Sequence, residues 1–129
     1  MLATERRQRR SEKVVEALSY QLSHVKEQEQ LLAFVLADRD GLLVASAPSS
    51  IDGEALSALC PLLHQGEVGA PELEWVLGEH HSAKVALLPL LVNEEELFLI
   101  SVGATDEVAK RAAQQAEGGI QRIFTLFSC

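Results

Sequence analysis

The chain has 129 residues, 47% of them hydrophobic, and a formal net charge of −8. That length suits one domain burying roughly two-thirds of its chain surface, and a single Trp and a single Tyr make its core aliphatic. No apolar run approaches the roughly 18 residues of a membrane span, and MLATERRQRRSEK has no apolar segment behind its charges, so it does not read as a secretory signal.

Two cysteines, Cys60 and Cys129, supply neither a disulfide framework nor metal-ligand spacing. A reduced, cytoplasmic setting is expected. In residues 1–13 five bases (Arg6, Arg7, Arg9, Arg10 and Lys13) stand against two acids (Glu5 and Glu12), giving +3 and leaving −11 for the remainder. A body that acidic repels phosphate backbones, so nucleic acid is not an expected partner. Residues 1–10 read as a basic arm, either solvated or touching an acidic partner or membrane headgroups, and residues 11–129 as the folded domain.

Ser11 to Gln30 has the spacing of a helix, with Val14 or Val15, Leu18, Leu22 and Val25 on one stripe. Leu31 to Ala47 then reads as two strands flanking Asp38-Arg39-Asp40-Gly41, because Asp-Gly between apolar runs is a strong hairpin signal. Both faces of the first strand are apolar, which places it in the middle of three layers. Pro48-Ser49-Ser50 ends the hairpin, and Ser50 or Asp52 can cap a second helix over about Asp52 to Gln65.

Seven residues of that second helix (Ala55, Leu56, Ala58, Leu59, Cys60, Leu62 and Leu63) cover roughly 200° of its circumference, whereas a helix lying on one sheet needs little more than 100°. The excess predicts a cover beyond the helix's own sheet. Glu54, Ser57, Pro61, His64 and Gln65 form its polar arc, and Pro61 predicts a kink or a break.

Residues 64–71 read as a loop, and Glu72 to Gly78 as a short edge strand in which Leu73, Trp75 and Leu77 alternate with Glu72, Glu74 and Val76. Ser82 to Val92 and Glu96 to Val102 read as two further strands. Pro89 in the first of them demands a bulge or an unpaired backbone position. Asp106 to Phe127 closes the chain as a helix burying Val108, Ala112, Ala116, Ile120, Ile123 and Phe127, with Gly118-Gly119 as either a close-packing notch against the sheet or a weak point. The expected fold is an α/β (α+β) sandwich of order α-β-β-α-β-β-β-α, a five-stranded antiparallel sheet with the first and last helices on one face and the second on the other.

Chemistry is missing from this pattern. There is no GxxxxGK[ST] phosphate loop, no GxGxxG after a strand and no GxSxG elbow. His80 and His81 are adjacent and would point opposite ways on an extended chain, Glu94-Glu95-Glu96 reads as a solvated turn, and Cys60 lies on the apolar arc of its helix. No enzyme, cofactor or metal is indicated.

Phe34-Val35-Leu36-Ala37-Asp38-Arg39-Asp40-Gly41-Leu42-Leu43-Val44-Ala45-Ser46, followed by Asp52-Gly53-Glu54-Ala55-Leu56-Ser57-Ala58-Leu59 and by Leu97-Phe98-Leu99-Ile100-Ser101-Val102-Gly103, resembles the roadblock family, named for dynein light chains and including bacterial polarity regulators of the MglB type. The resemblance spans about residues 11 to 127. It implies a homodimer whose second helices pack together and whose following edge strands join two sheets into one. It also implies a partner, a small Ras-like GTPase, bound by a regulator that donates no catalytic residue.

On this reading Leu56, Leu59, Cys60, Leu63, Leu73 and Trp75 form the dimer interface, and Glu54, Ser57, Pro61, His64 and Gln65 meet the partner. Pro61 departs from an uninterrupted interface helix. The alternative is a dimeric scaffold subunit of a motor or signalling complex with no effect on hydrolysis. A ligand-sensing α/β module is disfavoured by the small aliphatic interior.

Overall fold

The structure, a computed structural model, describes residues 12–66 and 70–127; the basic arm lies outside the described residues. Helix α1 (Glu12–Glu29) presents Val14, Leu18, Leu22 and Val25 to the core at three- and four-residue spacing. It ends where Gln30 turns left-handed (φ 56°) and the Leu31 N–H donates back to the Lys26 carbonyl at 2.9 Å. Strands β1 (Ala33–Asp38) and β2 (Leu43–Ser46) follow as the expected hairpin, antiparallel, with a register shift at Leu36/Ala37.

Helix α2 (Gly53–Gln65) starts at Asp52, whose carboxylate accepts from the Glu54 and Ala55 N–H groups at 3.0 and 3.3 Å. It ends at Gly66, left-handed at φ 74°. Helix α3 (Ala70–Leu77) and a single 3-10 turn (Gly78–His80) lead into β3 (Lys84–Val92) and β4 (Glu95–Gly103), and α4 (Asp106–Phe127) completes the chain.

Among the described residues the sheet has four antiparallel strands in the order β2-β1-β4-β3, not five. The strand expected at Glu72 to Gly78 is a helix instead. A segment of seven residues fits both periods, and burial decides between them. Leu77 is buried and Leu73 and Val76 are half-buried, which is i, i+3, i+4 spacing, while Trp75 points to solvent. Pro71, in the first turn of the helix, needs no helical N–H partner.

Alternation in β1 sends Phe34 and Leu36 to one face, where α1 and α4 pack, and Ala33, Val35 and Ala37 to the other, under α2. The second face therefore carries two helices, α2 and α3. Helices α1 and α4 lie antiparallel, with Arg111 paired to Glu29 at 2.9 Å and Gln115 bonded to Gln28 at 2.8 Å. Gly119 is a close-packing notch, but against Gln21 of α1 and not against the sheet, whereas a Cβ on Gly118 would meet only open space.

Pro89 needs no bulge. The β3–β4 register is unbroken across Pro89↔Phe98. The two-residue Asn93-Glu94 turn, both φ positive, makes Val92↔Glu95 a hydrogen-bonded pair. Counting back in twos from there puts the Pro89 nitrogen on the free outer edge, where no ladder bond is lost. The Leu91 carbonyl points the same way and accepts from the Gln121 side chain at 3.3 Å.

Candidate functional site

Helix α2 carries two apolar stripes. The inner one, Leu56, Cys60 and half-buried Leu63, packs with Ile51 and Leu77 on Ala33, Val35, Phe98 and Ile100 of the sheet. The outer one is Ala55, Ala58, Leu59 and Leu62, of which Ala58 is exposed, Ala55 and Leu59 are half-buried, and Leu62 is 41% exposed. None of these four is charged, so this side of the helix offers solvent a continuous aliphatic strip.

The β1–β2 turn is keyed to that helix. One Asp38 carboxylate oxygen accepts from the Asp40 N–H at 2.9 Å and the Leu42 N–H at 3.0 Å, which locks the turn. Gly41 sits at φ +82°, and a Cβ there would lie 3.2 Å from the Ala58 carbonyl oxygen and 3.3 Å from Pro61 Cδ. Gly41→Ala is therefore expected to destabilise the fold by about 1–3 kcal/mol, through both the backbone conformation and the contact. Urea unfolding measures it, and an unchanged midpoint would contradict the contact. Gly41, Leu42, Leu43, Glu54 and Ala58 line a shallow open concavity between turn and helix.

Pro61 does not break α2, which runs through it to Gln65. The proline has no N–H for the Ser57 carbonyl, and its ring lies beside the turn.

Of the residues expected at the partner face, Glu54, His64 and Gln65 are exposed and Pro61 is half-buried, but Ser57 is wholly buried against the sheet. Among the described residues its hydroxyl has no hydrogen-bond partner. Of those expected between chains, Leu59, Leu63 and Leu73 are half-buried and Trp75 is 84% exposed. Leu56 and Cys60 are instead fully buried in the chain's own core, so neither is left over for a second chain. The helix is rotated relative to the expected placement, bringing Ser57 to the sheet and turning Leu62 outward. The His64 ring packs against Phe98 with centroids 5.0 Å apart and planes tilted by 45°.

Burial pushes the Cys60 thiol from its ordinary 9.0 up to about 12. The unfolded chain then loses this proton first as pH rises. The contribution is fully present below pH 9 and is lost between about 9 and 12, so stability is expected to fall across that range by more than in Cys60→Ala. Urea midpoints at about pH 8, below that window, and at about pH 10.5, inside it, test the expectation; equal slopes for both proteins would contradict the burial.

Beside α2, helix α3 turns Trp75 outward, with Glu72, Glu74 and Glu79 exposed around it. Strand β3 is an edge strand of the sheet among the described residues, with Leu91 67% exposed. Sequence reasoning left Leu62 and Leu91 out of the site. The signal for Leu62 was its place in the wide apolar arc; that for Leu91 was alternation with Leu90, which is buried on the opposite face. Among the described residues no group of three or more His, Cys, Asp or Glu is gathered for a metal, and no helix is long and apolar enough to cross a membrane.

No protein-family profile and no curated protein matches the sequence. Solved structures do match the fold. MglB of Myxococcus xanthus superposes with a TM-score of 0.61 at 16% identity, covering 91% of this chain and 93% of that one. The gliding protein MglB from Thermus thermophilus gives 0.59 at 18% identity, with 91% and 95% covered. An MglB in a tetrameric arrangement gives 0.59 at 18% identity, with 91% and 94% covered. The chain therefore has the MglB fold.

Proposed function

We propose that the chain is a homodimeric, non-catalytic regulator that binds a small Ras-like GTPase, acting as its GTPase-activating protein or co-regulator. The observation that carries this reading is the uncovered outer stripe of α2. Ala55, Ala58, Leu59 and Leu62 are apolar and uncharged, and a two-fold axis lets such a patch cover itself. The alanines allow close helix approach, and each leucine contributes about 1.5–3 kcal/mol when buried. Strand β3, at one edge of the sheet among the described residues, offers a second strand-to-strand contact, with Pro89 supplying a carbonyl but no N–H.

Pairing α2 with its copy sets Glu54, Pro61, His64 and Gln65 of both chains around one surface. A GTPase's switch loops are ordered by the γ-phosphate, so a surface that contacts them discriminates the two nucleotide states by differential affinity. Acceleration of hydrolysis would come from ordering the GTPase's own groups. Calorimetric titration of Ras-like GTPases from the same genome tests the reading: tighter binding of the GTP-analogue form supports it. Equal affinity for the GTP-analogue and GDP forms would leave the scaffold alternative.

A further inference from the structure

We infer that the outer face of α1 is a second two-fold contact, on which another copy of this chain lies antiparallel with Tyr20 against Tyr20, joining two dimers back to back. The inference goes beyond the GTPase-binding reading. It leaves the paired α2 helices open to that partner, because α1 and α2 lie on opposite faces of the sheet.

Two observations carry it. Helix α1 rests on the sheet through Val14, Leu18, Leu22 and Val25, and its opposite side turns Tyr20, the chain's single tyrosine, 78% into solvent. A phenol ring on a charged surface is amphipathic area of the kind that protein contacts bury. The second observation is the charge pattern around it. Glu16 and His24 stand about one helical turn before and after Tyr20, and Lys13 and Glu27 about two turns before and after. All four are exposed.

Charge also decides who the occupant is, because the pattern complements itself. When two copies of a helix pair antiparallel about a two-fold axis at Tyr20, residues equally distant from it in sequence face each other. Lys13 then meets Glu27 of the other copy. Glu16 meets His24 of the other copy, an imidazole that donates an N–H to a carboxylate in either protonation state. Parallel pairing would instead set each charge against its own kind, which opposes association. The contact is one stripe of one helix, well below the roughly 1,600 Å² of a stable pair. It therefore forms above about 100 µM and does not compete with the α2 seam.

The test is sedimentation equilibrium of the full chain from about 5 to about 500 µM, with circular dichroism as the check on folding. The wild-type mass should rise from two chains to four. Lys13→Glu and Glu27→Lys should each abolish the rise by opposing like charges across the axis, and the two combined should restore it. Both changes suit the helix dipole, with an acid added in the first turn of α1 and a base in the last, so the helix is kept. Tyr20→Ser should move the rise at least about tenfold higher in concentration. A mass of two chains throughout would overturn the contact and leave the α2 dimer standing. So would single reversals that behave as wild type, or a combined variant that fails to restore the rise. A rise from one chain to two that the single reversals abolish would support the contact and remove the α2 dimer instead. A mass of one chain throughout would overturn both.

Discussion

Leu62→Asp is expected to convert the proposed dimer into a folded monomer. Leu62 is 41% exposed on the outer stripe of α2, so one chain alone hydrates an added carboxylate without strain. Across a two-fold axis the substitution acts twice, bringing two unpaired carboxylates into an apolar seam, where each costs several kcal/mol. A weakening of about 3 kcal/mol or more lowers the association constant at least about a hundredfold. Light scattering at micromolar concentration should then give half the wild-type mass, with an unchanged circular dichroism spectrum. An unchanged mass would place the seam elsewhere.

Leu56→Asp, earlier on the same helix, is expected to do something different: it should unfold the chain. Leu56 is wholly buried against β1 and β4 in the company of Ile51, Cys60, Phe98 and Ile100. The substitution forfeits about 1.5–3 kcal/mol of burial and adds the cost of an unpaired carboxylate in an apolar core. Together these approach the whole stability of a domain this size, about 5–15 kcal/mol. Loss of the cooperative urea transition is the expected result. A folded monomer would instead put Leu56 in the seam, as the helix's width alone suggested.

These paired outcomes show where the sequence was readable. The wide apolar arc of α2 was visible from residue spacing, because the helical repeat fixes which side chains share a face. The rotation of that arc on the sheet was not visible. Ser57 reads as a surface residue by chemistry, yet it is small and wholly buried, and among the described residues its hydroxyl is enclosed without a partner. The Asp38–Gly41 turn, the caps at Asp52 and Gly66, and the buried stripe of α1 were legible because each rests on local backbone chemistry. Helix α3 was misread because Leu73, Trp75, Val76 and Leu77 satisfy both a twofold and a helical period within so short a segment. Only packing against Leu77's neighbours separates the two. The position of Pro89 followed from the turn beyond it, since a two-residue loop sets which backbone nitrogens face the open edge.

In the proposed assembly two copies of this chain form one platform for one GTPase. Sedimentation of the chain mixed with its GTPase measures that most directly. A complex of two chains and one GTPase is expected when the GTPase holds a GTP analogue, and weaker association in GDP. A one-to-one complex built on a monomeric chain would contradict it.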